Sequence, residues 1–180
     1  MRNACVGLSA AFAIGLISSS AAIAGDNFIS EIRGGALAHD QGFTSHKEDG
    51  VDASGEIVFG DTGWLGDGWT LRPDIGGDFN TDGKTNQAYI GMLAGHRLLG
   101  PIFFDVGAGG AWHDGKLDTT DPDRHSLGCR VLFHLEGDLG VNLGENWAVM
   151  AHIDHISNAD LCDRNEGLTN LGVLIGYRFN

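Results

Sequence analysis

The sequence predicts an all-β protein: an eight-stranded antiparallel transmembrane β-barrel with a polar, filled lumen. Three observations point there. Beyond a short apolar N-terminus, the 180-residue chain has no apolar run approaching the roughly 20 residues a membrane helix needs. Its 29 glycines disfavour helices, while only 3 prolines leave sheet ladders largely uninterrupted. Segments of about ten residues alternate in polarity between turn-forming clusters, with the length and even count of a small membrane barrel.

The first element is a secretory leader. Arg2 supplies the positive start, an apolar run follows from Cys5 to Ile17, and Ala22-Ile23-Ala24 forms an A-x-A processing pattern. Residues 1–24 are therefore expected to be a signal peptide and residues 25–180, from Gly25, the barrel. Strands are expected over Asn27–Ala38, Val51–Gly60, Trp69–Phe79, Asn86–Arg97, Ile102–His113, Ser126–Val141, Asn146–Asn158 and Asn170–Phe179.

The fifth strand shows the pattern well. Ile102, Phe104, Val106, Ala108 and Trp112 share one face, and Asp105 and Gly107 the other. In the sixth, Leu127, Cys129, Val131, Phe133, Leu135 and Leu139 alternate with Arg130, His134, Glu136 and Asp138. Alternation alone also fits a soluble sandwich. The even strand number and the aromatic-rich last stripe (Leu171, Val173, Ile175, Tyr177, Phe179) favour lipid outside and polar groups within. Eight strands enclose a lumen that side chains fill, which disfavours a conducting pore. Long connections near His39–Gly50, Asn80–Thr85, Asp114–His125 and Ala159–Thr169 fall on the extracellular side. Turns at Leu98–Pro101 and Leu143–Glu145 are short and periplasmic, and Asp61–Gly68 is longer than that rule prefers.

Eleven Lys and Arg against 24 Asp and Glu give a formal net charge of −13, which disfavours nucleic acid as a partner. Cleavage of the leader removes Cys5 and leaves Cys129 and Cys162. In an oxidising compartment a disulfide between them is expected, two separate thiols being the alternative. No C-x-x-C pair or tight His/Cys cluster exists, so neither a metal site nor a cofactor is expected.

The residues with chemistry lie at the end of the seventh strand. Trp147, Val149, Ala151, Ile153, His155 and Ser157 face one way, while His152, Asp154 and Asn158 point into the lumen. The apolar stripe thus ends in two polar groups where the strand leaves hydrocarbon. Two residues apart on one face, about 7 Å at the backbone, His155 can serve as base to a nucleophilic Ser157 that attacks a lipid ester. Interfacial polar residues ending a lipid-facing strand would give the same H-x-S triplet.

The wider string separates these readings: His155-Ile156-Ser157-Asn158-Ala159, then Asn165-Glu166-Gly167-Leu168, then Gly176-Tyr177-Arg178-Phe179. It resembles the PagL family of lipid A 3-O-deacylases, with its H-x-S-N-A pattern, N-x-G loop and closing G-Y-x-F strand. Weaker likenesses lie at Gly34-Gly35, His39-Asp40, Arg72-Pro73 and Asn80-Thr81-Asp82-Gly83. The resemblance implies an outer-membrane esterase that removes the 3-O-linked acyl chain of lipid A, with Ser157 as nucleophile and His155 as base. It also implies Asn165 as an oxyanion donor. Lipid A or lipopolysaccharide and the outer membrane are the expected partners, and a homodimer is one assembly open to it. The family's acidic position falls on Thr169, which is not acidic; Glu166 is the candidate substitute acid. The other function class compatible with the pattern is a non-catalytic structural or lipopolysaccharide-binding barrel.

Overall fold

In a computed structural model, residues 28–42, 46–66 and 68–179 are described. The expected signal peptide and its processing site lie outside these residues. The chain forms eight strands: β1 (Ile29–Ala38), β2 (Val51–Phe59), β3 (Trp69–Asn80), β4 (Gln87–Leu99), β5 (Ile102–His113), β6 (Val131–Leu143), β7 (Trp147–Ser157) and β8 (Leu168–Arg178). Each pairs antiparallel with its sequence neighbours. β8 closes on β1 through a register running from Glu31–Arg178 to Ala38–Leu171, so no edge strand is left open.

The polarity of this barrel is inverted relative to a water-soluble core. Ile90 and Val131 are each 65% exposed, whereas Arg33 is 2% exposed and Asp74 is fully buried. Such an exterior is stable only against hydrocarbon. At the short-turn end, Trp69 packs edge-on against Phe104, and Trp147 and Tyr177 do the same, giving the aromatic belt that marks a membrane interface.

Ion pairs organise the lumen. Arg33 reaches Glu31 (3.0 Å), Glu56 (3.3 Å), Asp105 (2.6 Å) and Asp138 (3.0 Å), and Arg72 bridges Glu31 and Asp105, each at 3.1 Å. Buried charges are tolerable only when paired in this way, and removing one partner typically costs about 3–5 kcal/mol. Apolar groups also fill the interior. One cluster joins Tyr89, Leu127, Ile156 and Leu168; another joins Leu37, Phe103, Met150 and Leu174.

All strand ends but the start of β6 fall within two residues of the expected spans, and two of the starts bear on the site. β6 starts at Val131 rather than Ser126. Gly128 adopts φ +77°, and a Cβ there would lie 2.0 Å from the carbonyl oxygen of Arg164, so the chain turns where an extended strand was expected. Leu127 consequently tucks inside at 1% exposure instead of facing lipid with Val131 and Phe133. β8 starts two residues early, at Leu168, which brings Thr169 into the ladder opposite His155.

Candidate active site

β7 alternates as the sequence demands. Ala148, Met150, His152, Asp154 and Ile156 are buried, and Trp147, Ala151 and Ile153 are exposed on the outer face. His155 and Ser157 are half-buried on that same outer face, at the end that carries the long loops. The β7–β8 register sets His155 directly opposite Thr169, and His155 Nδ1 lies 2.8 Å from Thr169 Oγ1. Among the described residues this is the one hydrogen bond of the imidazole. With Nδ1–H donating to the threonine, Nε2 keeps its lone pair and can act as a base.

The chain after β7 is shaped to bring the next loop back over this pair. Ala159 (φ 51°) and Asp160 (φ 60°) are consecutive non-glycine residues in the left-handed region. Such conformations persist only where the surroundings enforce them. Asn158, 3% exposed, supplies much of that enforcement: its Nδ2 donates to the carbonyls of Leu127 (2.9 Å) and Arg164 (2.5 Å). Cys129 and Cys162 form a disulfide, with Cα atoms 6.0 Å apart, that ties the same two loops. Gly167 (φ +68°) then lets the loop pass the imidazole; a Cβ there would sit 3.1 Å from His155 Cε1.

Of the other residues singled out by sequence, Asn165 accepts from the Asn158 N–H (2.9 Å) and donates through Nδ2 to Asp160 (3.0 Å). An amide nitrogen has two hydrogens, and the second has no partner among the described residues. Glu166 is engaged away from the imidazole. Its oxygens take Lys47 Nζ and the Ser126 N–H, each at 2.6 Å, and it makes no hydrogen bond to His155. The lysine and these hydrogen bonds hold its carboxyl below the usual range, although burial opposes the shift. Beside Ser157, the ladder runs to Phe133 on β6 and Gly110 on β5. The missing side chain at Gly110 helps open an apolar crevice of about 320 Å³, walled also by Val131, Leu161 and the disulfide.

A buried polar cap above the lumen has no counterpart in the sequence reading. His39 bridges Asp52 (2.8 Å) and Glu48 (3.3 Å), Glu48 also accepts from the Thr85 and His125 N–H groups, and His125 reaches Asp40 at 2.6 Å. His39-Asp40 was visible only as a dipeptide, because its partners come from three other segments. Burial disfavours charge on His39, yet its two carboxylates raise its pKa from 6.5 to about 9. Burial likewise opposes charge on Glu48, but its hydrogen bonds lower it from 4.5 to about 2.

The histidine's contribution to cap stability is therefore complete below about pH 6.5 and lost as the pH rises through about 9. The glutamate's is complete above about pH 4.5 and lost as the pH falls through about 2. Amide exchange in residues 46–50, corrected for intrinsic rates, is expected to be slowest between these limits and to accelerate above pH 9. A flat profile would remove His39 from this role.

Reduction of the disulfide provides a second check on the loops. With its ends 33 positions apart in sequence, closing that loop in the unfolded chain contributes roughly 3–4 kcal/mol on chain-entropy grounds. Cys129→Ser with Cys162→Ser is expected to lower the unfolding midpoint and speed exchange in residues 158–167. Non-reducing peptide mapping that finds both thiols free would remove the basis for this expectation.

Comparison with known proteins speaks for the family and the fold. The family profile described as Lipid A 3-O-deacylase (PagL) matches residues 59–178. Among solved structures, the chain is similar to the outer membrane enzyme PagL, with a TM-score of 0.67 and 17% identity, covering 83% of this chain and 100% of that one. It is also similar to Neisserial surface protein A, with a TM-score of 0.54 and 10% identity, covering 83% of this chain and 96% of the other. A de novo designed transmembrane β-barrel gives a TM-score of 0.54 at 13% identity, covering 86% of this chain and 98% of the design. At these identities the structures speak for the fold. No curated protein matches the sequence.

Proposed function

The chain belongs to the lipid A 3-O-deacylase (PagL) family of the outer membrane, and from that premise we propose that it removes the 3-O-linked acyl chain of lipid A by serine/histidine ester hydrolysis. The observation that carries the mechanism is the outward-facing pair at the rim, with His155 Nδ1 held 2.8 Å from Thr169 Oγ1 and Nε2 left free.

In this reading the ester at the 3-position of lipid A approaches from the outer leaflet, where only an exterior nucleophile can meet it. Ser157 Oγ adds to the carbonyl carbon as His155 Nε2 takes its proton. The uncommitted hydrogen of Asn165 Nδ2 is the candidate donor to the oxyanion. When the tetrahedral intermediate collapses, the C–O bond to the sugar breaks and His155 returns the proton to the leaving alcohol. A water molecule, activated by the same imidazole, then releases the fatty acid from Ser157. The apolar crevice beside Phe133 and the disulfide offers the acyl chain a surface that excludes water.

The signal peptide over residues 1–24 is part of this reading, since a barrel reaches the outer membrane only by export. The test is direct. The refolded barrel is incubated with lipid A in detergent micelles and the products are weighed by mass spectrometry. Loss of one 3-linked hydroxyacyl chain per lipid A is the expected result. Intact lipid A from a demonstrably folded barrel would favour a binding or structural role, and release of chains from phospholipid alone would change the substrate class.

A further inference from the structure

Mid-lumen, three carboxylates from three strands converge with a single one of the ion pairs that organise the rest of the interior. Glu56 on β2, Asp74 on β3 and Glu136 on β6 are 2%, 0% and 7% exposed, and one oxygen from each lies within 4.8 Å of the other two. Five of their six oxygens are buried and unbonded among the described residues: Glu56 Oε1 and both oxygens of Asp74 and Glu136. Among the described residues their one cation contact is Arg33 to Glu56 at 3.3 Å, and that arginine is shared with Glu31, Asp105 and Asp138. Buried carboxylates with so little compensation are costly.

The surrounding wall is cut away to admit them. A Cβ on Gly107 would lie 2.3 Å from Glu136 Oε1, and one on Gly91 would lie 3.1 Å from Asp74 Oδ1. A separate group points into the same space. Tyr89 is 3% exposed, and its buried hydroxyl has no partner. It lies across Gly76, where a Cβ would sit 2.4 Å from Oη, and Gly76 is the ladder partner of Glu56. The phenol thus reaches over the bare position toward the carboxylate group.

We propose that Glu56, Asp74 and Glu136 bind one divalent, oxygen-preferring cation inside the barrel, with calcium the best fit and the Tyr89 hydroxyl at its margin. All donors are hard oxygens, which suit calcium or magnesium rather than a transition metal. Calcium–oxygen distances of about 2.3–2.6 Å let a single ion span opposed ligands at the observed separation, and its flexible geometry tolerates mixed one- and two-oxygen carboxylate binding. A shared proton bridges one pair of oxygens, whereas a cation engages all three carboxylates and offsets two charges together. The members sit 18 and 62 residues apart in sequence, so no spacing motif announces the site. The ion takes no part in ester hydrolysis; its role is to fix the lumen.

The full mature barrel is refolded in detergent with calcium, with magnesium, or with EDTA, then washed with EDTA while folded. Metal content and the thermal unfolding midpoint are measured. One calcium per barrel surviving the wash and released on unfolding is the expected result, with a higher midpoint than the barrel refolded in EDTA. Ions on the acidic loops wash away at once, so they do not imitate this. Glu136→Gln and Asp74→Asn should each weaken retention at least about tenfold and erase the midpoint difference. Retention of no ion, equal midpoints with and without calcium, or retention unchanged in both variants would overturn the proposal. If a variant fails to fold, the wild-type metal content and midpoints decide.

Discussion

Ser157→Ala is expected to abolish release of the 3-linked acyl chain, and His155→Ala to lower kcat by about 10²–10⁴-fold, with KM for lipid A little changed in either. Serine without a base is a weak nucleophile at neutral pH, and a positioned general base contributes about that range. The split between kcat and KM follows from position. Both side chains are half-buried at the end of an apolar face, so they touch the scissile ester and little else of a large amphiphile. Neither is part of the ion-paired lumen or the cap, so both variants should keep the heat-resistant gel mobility of a folded barrel. Because the two act as a unit, the double variant should be no worse than Ser157→Ala. Undiminished hydrolysis by folded Ser157→Ala would move the nucleophile elsewhere.

The barrel was legible because alternation is a local property. Each strand from β1 to β8 shows its two faces within its own residues, and His155 and Ser157 could be assigned to lipid by counting from Trp147. Ser126–Arg130 failed for a local reason that the pattern masks. Leu127 and Cys129 have strand-like spacing, but Gly128 between them is left-handed, and the Arg164 carbonyl occupies the space a side chain would need. What could not be read was long-range. Glu166 looked available as an acid two residues from Leu168. Its partners, Lys47 and Ser126, lie 119 and 40 residues away, and their hold on it depends on loop folding. The cap and the luminal carboxylates were hidden for the same reason: burial turns scattered solvated-looking acids into specific clusters only after the barrel closes.

Thr169→Glu is expected to raise kcat, on the order of 10²-fold, whereas Thr169→Val lowers it about fivefold. The threonine hydroxyl orients the imidazole through one neutral hydrogen bond, worth about 1 kcal/mol, and its loss corresponds to the smaller effect. It contributes no charge when His155 becomes an imidazolium in the transition state. A carboxylate at this position would supply that charge next to Nδ1, and loss of such a group in a serine–histidine–aspartate site costs about 10⁴-fold. The gain expected here is smaller because glutamate is longer than threonine and must repack against a half-buried face. Desolvation is a minor obstacle, since acidic substitutions near the membrane interface cost only about 0–1 kcal/mol. Single-turnover acylation rates, measured beside KM, would isolate the chemical step. No gain with Glu and no loss with Val would mean that His155 is oriented by something other than its ladder partner. A gain with Glu alone would mean that the threonine leaves this site short of charge while contributing nothing measurable to orientation.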